Sequence, residues 1–385
     1  MTSLSEHAAL FYFDDDYEAA RQPSKLQLES ADIASLVAEA KRLAVQRNLL
    51  LPDADSLLER CIVALLGGHI ILQGPPGTGK TTLAFILAEA FNATAQLETA
   101  TADWSTYDVI GGLHPTAKGG VETLVPWLGH VPRAALECAS VAVRHADPEE
   151  NEPHQAHWLI IDEFSRAEID KAIGPLYTVL GGGENDVPLP LWFEHEENKK
   201  EVWLPKRFRI IATMNSVDTN YVYTFSQGLS RRFQFVYVGV PAKEQVDREL
   251  EQARISAEMW MAKTYPAAHA GAFAKDSRVL HASTTLADML RTLRYDDNGR
   301  PGWPLGTAQV VDVYRQLALR LPAAGGDVDS LTPALDLALA DRVVPQAGNL
   351  TKAQLDAFDE WLSRQDLPRT SLALQHLRLA SSTGY

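Results

Sequence analysis

Short apolar runs closed by polar or turn-forming residues punctuate the first 240 positions. They are Ile70–Leu72, Trp158–Ile161, Ile210–Ala212 and the alternating aromatics Phe233, Phe235 and Tyr237. Runs of this length and composition predict buried strands. Leu83, Ile86, Leu87 and Phe91 follow the first run at helical spacing, and Ile169, Ile173, Leu176 and Leu180 follow the second, so a helix is predicted after each. From Pro241 onward strand signals vanish. One amphipathic helix is predicted from Pro241, read as its opener. Others are predicted around Leu286–Leu293, in 305–321, in 330–344 and in 349–365. Ahead of the strands, 30–48 reads as an amphipathic helix with Ser30 or Asp32 as its cap. Two hairpins are also predicted. One lies in Asp108–Trp127, turning at Lys118-Gly119-Gly120. The other lies in Val187–Pro205, with a charged tip from Glu194 to Glu201.

The junction after the first strand carries chemistry. Gly74-Pro75-Pro76-Gly77-Thr78-Gly79-Lys80-Thr81, followed by Thr82, has two glycines five positions apart and then Lys-Thr. That is the pattern of a phosphate-binding loop. Glycines let the backbone curl so that N–H groups converge on phosphate oxygens. Lys80 supplies a positive charge for the β- and γ-phosphates, and Thr81 a hydroxyl for Mg2+. A plain Gly/Pro connection is the alternative. The strand before, the helix after and the intact Lys-Thr pair weigh against it.

The second strand ends on two acids, Asp162 and Glu163. Carboxylates at the end of a buried strand are costly unless a cation or donors compensate them. Ligands of open α/β sheets sit at the carboxyl ends of strands. Asp162 is therefore assigned to the Mg2+ shell and Glu163 to polarising the attacking water. Adjacent strand residues point to opposite faces, so the strand must end here for both to reach the same crevice. The competing reading makes Asp162 or Ser165 the cap of the following helix. Asn215, just past the third apolar run, is placed to orient that water or touch the γ-phosphate; a turn-forming Asn is the bland alternative. Arg231 and Arg232 precede the last strand, as surface ion-pair residues or as an arginine finger for a neighbour's nucleotide.

Composition narrows the field. A chain of 385 residues, 46% hydrophobic, can bury a core of more than one domain. A net charge of −15 argues against coating nucleic acid by bulk charge, so direct nucleic-acid binding is not favoured. Cys61 and Cys138 lack metal-ligand spacing and read as buried thiols of a reducing compartment. His154 and His157 read as structural. No uncharged apolar run spans a bilayer, and the start lacks the order of a signal peptide. A soluble, cytoplasmic protein without a membrane partner is expected.

Together these pieces resemble the AAA+ ATPases, in the branch holding MoxR-type ATPases, dynein- and midasin-related modules and the McrB motor. The resemblance is clear over Leu50–Val238. It implies a P-loop α/β core with a parallel sheet flanked by helices, followed by a small all-helical lid. The implied division is an N-terminal arm at 1–49, a nucleotide-binding core at 50–240 and a lid at 241–385. It makes Gly74–Thr81 Walker A, Asp162 and Glu163 Walker B with its catalytic glutamate, Asn215 sensor 1, and Arg231 or Arg232 the finger. The hairpins resemble the branch's helix-2 insertion and the hairpin before sensor 1. Ser165, Thr219 and Asn220 depart from the McrB pattern, which implies ATP rather than GTP. At the lid stretch that carries a sensor 2 arginine in MoxR-like proteins, Gly306-Thr307-Ala308-Gln309 holds none, and Arg315 lies further along. The resemblance also implies a homo-oligomeric ring, a hexamer, using Mg-ATP hydrolysis on a protein client or with a separate partner, such as a von Willebrand-type adaptor or a nuclease. A nucleotide-gated assembly module that does not hydrolyse is the competing class, and the intact Glu163 and Asn215 argue against it.

Overall fold

The computed structural model describes residues 32–118, 121–181, 187–215, 227–266, 273–295 and 302–383. Ser30 and the part of the 1–49 arm before it, the Gly119-Gly120 turn, and Thr219 and Asn220 lie outside them. The described chain forms two compact units. The first takes in the residues through Arg47, then Ala54–Gly74 and Lys80–Tyr237. The second takes in Asn48–Asp53, Pro75–Gly79 and the residues from Val238 onward.

The first unit opens with helices α1 (Ile33–Gln46) and α2 (Ala54–Gly67). Asp32 caps α1 by accepting the Ser35 N–H at 2.6 Å. Its buried stripe is Leu36, Ala40, Leu43 and Ala44, the i, i+4, i+7, i+8 face of an amphipathic helix. Then follow β1 (His69–Gly74), α3 (Lys80–Ala90), β2 (Ala93–Thr99) and a single turn, α4 (Thr106–Val109). The antiparallel pair β3 (Gly111–Lys118) and β4 (Val121–Leu128) leads into α5 (His130–Ala146) and β5 (Ala156–Asp162). After β5 come the short helices α6 (Ile169–Ile173) and α7 (Leu176–Val179). The pair β6 (Leu189–Pro190) and β7 (Glu201–Val202), β8 (Ile210–Asn215), α8 (Gln227–Ser230) and β9 (Phe233–Tyr237) complete the unit.

The main sheet has the order β2-β5-β8-β1-β9, with every neighbouring pair parallel. Its inner strands are apolar throughout: Ile70, Ile71, Leu72, Leu159, Ile160, Ile211 and Ala212 are inaccessible to solvent. Helices cover both faces of such a sheet, which is why continuous apolar runs marked these strands. The register pairs Gly74 with Asn215 and Ile161 with Ala212, so the carboxyl ends of β1, β5 and β8 lie side by side.

Both expected hairpins form, though the second ladder holds only Leu189 opposite Val202 and Pro190 opposite Glu201. The single helix expected over 165–180 is broken. A 3-10 turn, Phe164–Arg166, precedes α6, and Gly174-Pro175 separates α6 from α7. Proline lacks the N–H that a continuous helix needs. The apolar spacing still reports burial, since Ile169, Ile173, Leu176 and Leu180 all face inward. Cys61 and Cys138 are buried, and burial pushes each thiol up to about 12.

The second unit is helical: α9 (Val246–Thr264), α10 (Ser277–Arg294), α11 (Thr307–Arg320), α12 (Thr332–Arg342), α13 (Lys352–Leu362) and α14 (Pro368–Thr383). Pro241 does not open α9. A 3-10 turn, Lys243–Gln245, comes first, where the Gln245 side chain accepts the Ala242 N–H at 2.8 Å. The core of this unit centres on Tyr314, Phe358, Trp361, Leu290 and Leu339. Within it, Glu249 and Arg294 form a fully buried ion pair.

Candidate functional site

The loop Pro75–Gly79 joins β1 to α3. Gly77 and Gly79 adopt φ of 77° and 82°. This is left-handed backbone that glycine enters without steric cost, and it is the curl expected of a phosphate loop. The Thr78 hydroxyl donates to the Pro75 carbonyl at 3.0 Å and ties the loop across its base. Within the second unit the loop meets the start of α11. The Ala308 N–H donates to the Gly77 carbonyl at 3.1 Å, and a Cβ on Gly306 would lie 2.3 Å from the Pro76 carbonyl oxygen. The side chain beside Gly77 is that of Gln309. Arg315 pairs instead with Asp312 at 3.0 Å and lies over the Trp260 ring.

Lys80 opens α3 and is almost fully buried. Its ammonium donates to the Gly74 carbonyl at 3.1 Å and to Asn215 Oδ1 at 3.0 Å. Asn215 Nδ2 in turn donates to Glu163 Oε2 at 3.0 Å. Beside this chain, the Thr81 hydroxyl donates to Asp162 Oδ1 at 2.8 Å. Thr82 is half-buried in the same turn of α3. The expected residues Lys80, Thr81, Asp162, Glu163 and Asn215 therefore converge at the carboxyl ends of β1, β5 and β8.

The competing cap readings do not hold. Asp162 accepts from Thr81 and Thr213, and Ser165 lies inside the 3-10 turn with its hydroxyl buried. Asp162 ends β5 and Glu163 follows at φ 54°, ψ 36°. That left-handed residue resolves the alternation problem posed by two adjacent acids. It turns the Glu163 side chain to the side where β8 presents Thr213 and Asn215, which share a face two residues apart. Left-handed backbone costs a non-glycine residue about 1–2 kcal/mol, and strain of this kind gathers at functional sites.

Two further contacts escaped sequence reasoning. Arg166 Nε donates to Glu163 Oε2 at 3.1 Å. Thr213, 2% exposed, bonds to both acids. Its only advance signal was a hydroxyl inside an otherwise apolar strand. Arg231 is exposed. Arg232 turns toward α7, where Nε donates to the Tyr177 carbonyl at 2.7 Å and the guanidinium lies 5.8 Å from the Tyr177 ring centre. His157 Nδ1 lies 2.8 Å from the Thr94 hydroxyl, and burial pushes its pKa down to about 4. His154 faces Glu152 at 3.0 Å, so each histidine has a local structural partner.

No cluster of three or more His, Cys, Asp or Glu among the described residues forms a metal cage. Thr81 and Asp162 present one hydroxyl and one carboxylate, hard oxygen donors. These suit Mg2+, which takes one or two carboxylates together with substrate phosphates and water. Among the described residues no helix is long and apolar enough to cross a membrane. No curated protein matches the chain. A family model described as the AAA domain of the dynein-related subfamily matches residues 69–233, from the first residue of β1 to the first of β9. Sheet order, phosphate loop and the acids beside it agree with that match, and residues 69–233 of this chain form a nucleotide-binding AAA domain of the dynein-related subfamily.

Proposed function

We propose that the chain is an ATPase that hydrolyses Mg-ATP. The carrying observation is the link from Lys80 through Asn215 to Glu163, at 3.0 Å and 3.0 Å. It ties the group that grips phosphate to a carboxylate that, among the described residues, accepts from Arg166 and Asn215. Residues 75–82 hold the phosphates, with Lys80 meeting the β- and γ-oxygens. Thr81 and Asp162 hold Mg2+, which when bound neutralises charge on those oxygens. Glu163 takes a proton from the attacking water as general base, a role contributing on the order of 10²–10⁴ in rate. Asn215 orients that water. In this reading residues 50–240 are the nucleotide-binding core, 241–385 the lid, and 1–49 an arm.

The active form is a homo-oligomeric ring, a hexamer, in which a neighbour's arginine completes each site. Arg231 is the better finger because it is exposed, whereas Arg232 is held at Tyr177. The ring remodels a protein client or drives a partner subunit in the cytoplasm, in the manner of the MoxR-type ATPases. An McrB-like motor of a nuclease complex is the second reading, and clear GTP preference in competition binding would favour it.

Lys80→Ala should abolish ATP binding, and Glu163→Gln should bind ATP but release no phosphate and stabilise the ring. A wild-type chain that binds ATP and releases no phosphate would instead be a nucleotide-gated assembly module. Unchanged ATP affinity in Lys80→Ala would remove the phosphate-loop assignment itself.

A further inference from the structure

Thr213 occupies a place that neither the phosphate loop nor the acid pair explains. It lies on β8 two residues before Asn215 and is 2% exposed. Its hydroxyl donates to Asp162 Oδ1 and accepts the backbone N–H of Glu163 at 3.2 Å. A threonine hydroxyl has one proton and two lone pairs, so it satisfies both bonds at once.

The two bonds do different things. Thr81 also donates to Asp162 Oδ1, at 2.8 Å. Both hydroxyls therefore load the same oxygen, which fixes the rotation of the carboxylate and leaves Oδ2 for the water shell of a cation. The second bond holds the backbone of Glu163 in its left-handed conformation, φ 54° and ψ 36°. Had Glu163 continued the extended strand, its side chain would point away from the face that Asp162 uses. It would then lose the Asn215 amide, which donates to it at 3.0 Å.

We propose that Thr213 is the positioning residue of this site. It acts through its neighbours: one hydroxyl aims Asp162 at the metal and Glu163 at the water. The inference rests on reading the site as a Mg-ATP hydrolase.

Three variants separate the hydroxyl from the packing. Thr213→Val keeps the shape without the hydroxyl, Thr213→Ser keeps the hydroxyl, and Thr213→Ala is a second hydroxyl-free variant should Thr213→Val fail to fold. Two quantities are read on the full chain. One is the Mg2+ concentration at the midpoint of the thermal upshift given by a non-hydrolysable ATP analogue. The other is steady-state phosphate release, as kcat and KM. Groups that orient metal ligands typically contribute about 10–100-fold in affinity or activity. Thr213→Val and Thr213→Ala should raise the Mg2+ midpoint and lower kcat within about that range, with KM for ATP little changed. Thr213→Ser should restore both. An unmoved Mg2+ midpoint in the hydroxyl-free variants, or a serine variant as impaired as valine, overturns the proposal. A wild type that releases no phosphate while the midpoint still shifts in Thr213→Val sinks the hydrolase reading and leaves the aiming of Asp162 standing.

Discussion

The side-chain amide of Asn215 donates to Glu163 at 3.0 Å, and its oxygen accepts from Lys80 at the same distance. One neutral residue thus spaces a buried ammonium from a carboxylate, so that the two charges do not pair directly; in the proposed mechanism this keeps them for phosphate and water.

Removing that spacer should impair chemistry more than binding. We expect Asn215→Ala to keep ATP affinity within a few-fold and to lower kcat on the order of 10²-fold, the size of loss seen when one preorganised polar group is removed from an active site. Isothermal titration and phosphate release measure the two. Equal losses in affinity and turnover would make Asn215 a phosphate ligand first.

The arginines test assembly together with chemistry. In the proposed ring a neighbour's arginine meets charge that develops as the γ-phosphoryl leaves; such a finger contributes on the order of 10³–10⁵ in the GTPase cases. Arg231→Ala should therefore bind ATP and lose most turnover. Arg232→Ala should also lose the contacts to Tyr177, where Nε donates to the carbonyl at 2.7 Å. Mixing Arg231→Ala with Lys80→Ala should recover part of the activity, because some interfaces then join one intact loop to one intact finger. Absence of recovery, with each variant folded, would remove the shared-site ring.

His69 gives the fold an acid limit. Its Nδ1 accepts the Ile210 N–H at 3.0 Å, which binds the first residue of β1 to the first of β8. Burial, with the Arg209 charge nearby, pushes its pKa from 6.5 down to about 3. The folded ring stays neutral, while the unfolded chain takes up a proton below about 6.5. This contribution is therefore fully present above that pH and is lost as pH falls toward 3. The loss is about 1.4 kcal/mol per unit, or about 2 kcal/mol by pH 5. His69→Asn keeps an acceptor and removes the titration. From pH 7 to pH 5 its Tm should fall less than that of the wild type. His157, also depressed by burial, titrates in both proteins and cancels. Equal falls would show that the His69 ring is not held neutral.

In the helical unit Arg294 donates to Glu249 through both terminal nitrogens, at 2.6 and 2.9 Å, and the Thr307 hydroxyl donates to the same carboxylate at 2.6 Å. Both charged side chains are 0% exposed. Glu249→Met strands a buried guanidinium and should cost about 3–5 kcal/mol in urea unfolding. The double variant with Arg294→Met should cost less, since no charge remains unpaired. A double variant worse than the single would show that the pair supplies net stability beyond its own desolvation.

What the sequence disclosed follows from burial. β1, β5 and β8 stood out because both of their faces are covered, which forces unbroken apolar runs. β2 was missed because it is an edge strand, and most of its side chains are only partly buried or exposed. α14 was missed as well, since Leu374 is a fully buried apolar anchor in a helix whose Leu372 and Leu379 stay exposed. The convergence of Lys80, Thr81, Asp162 and Glu163 was legible because local spacing marks the loop and the acid pair. Thr213 was not, because its role exists only once β8 lies beside β5 and a left-handed residue follows Asp162.

The strand order also sets a timetable for synthesis. β1 leaves the ribosome early, yet its neighbours in the sheet are β8 and β9, and Ile70 pairs with Ile211. At about 5–20 residues per second, roughly 140 residues of further chain take on the order of 10 s to appear. β2 and β5 pair directly with each other and can join sooner, but the strand that belongs between β5 and β1 is still unmade. Throughout that interval the link from Lys80 through Asn215 to Glu163 lacks its middle residue, which lies on β8. A nascent chain therefore cannot close the link between Lys80 and Glu163 until β8 is in place.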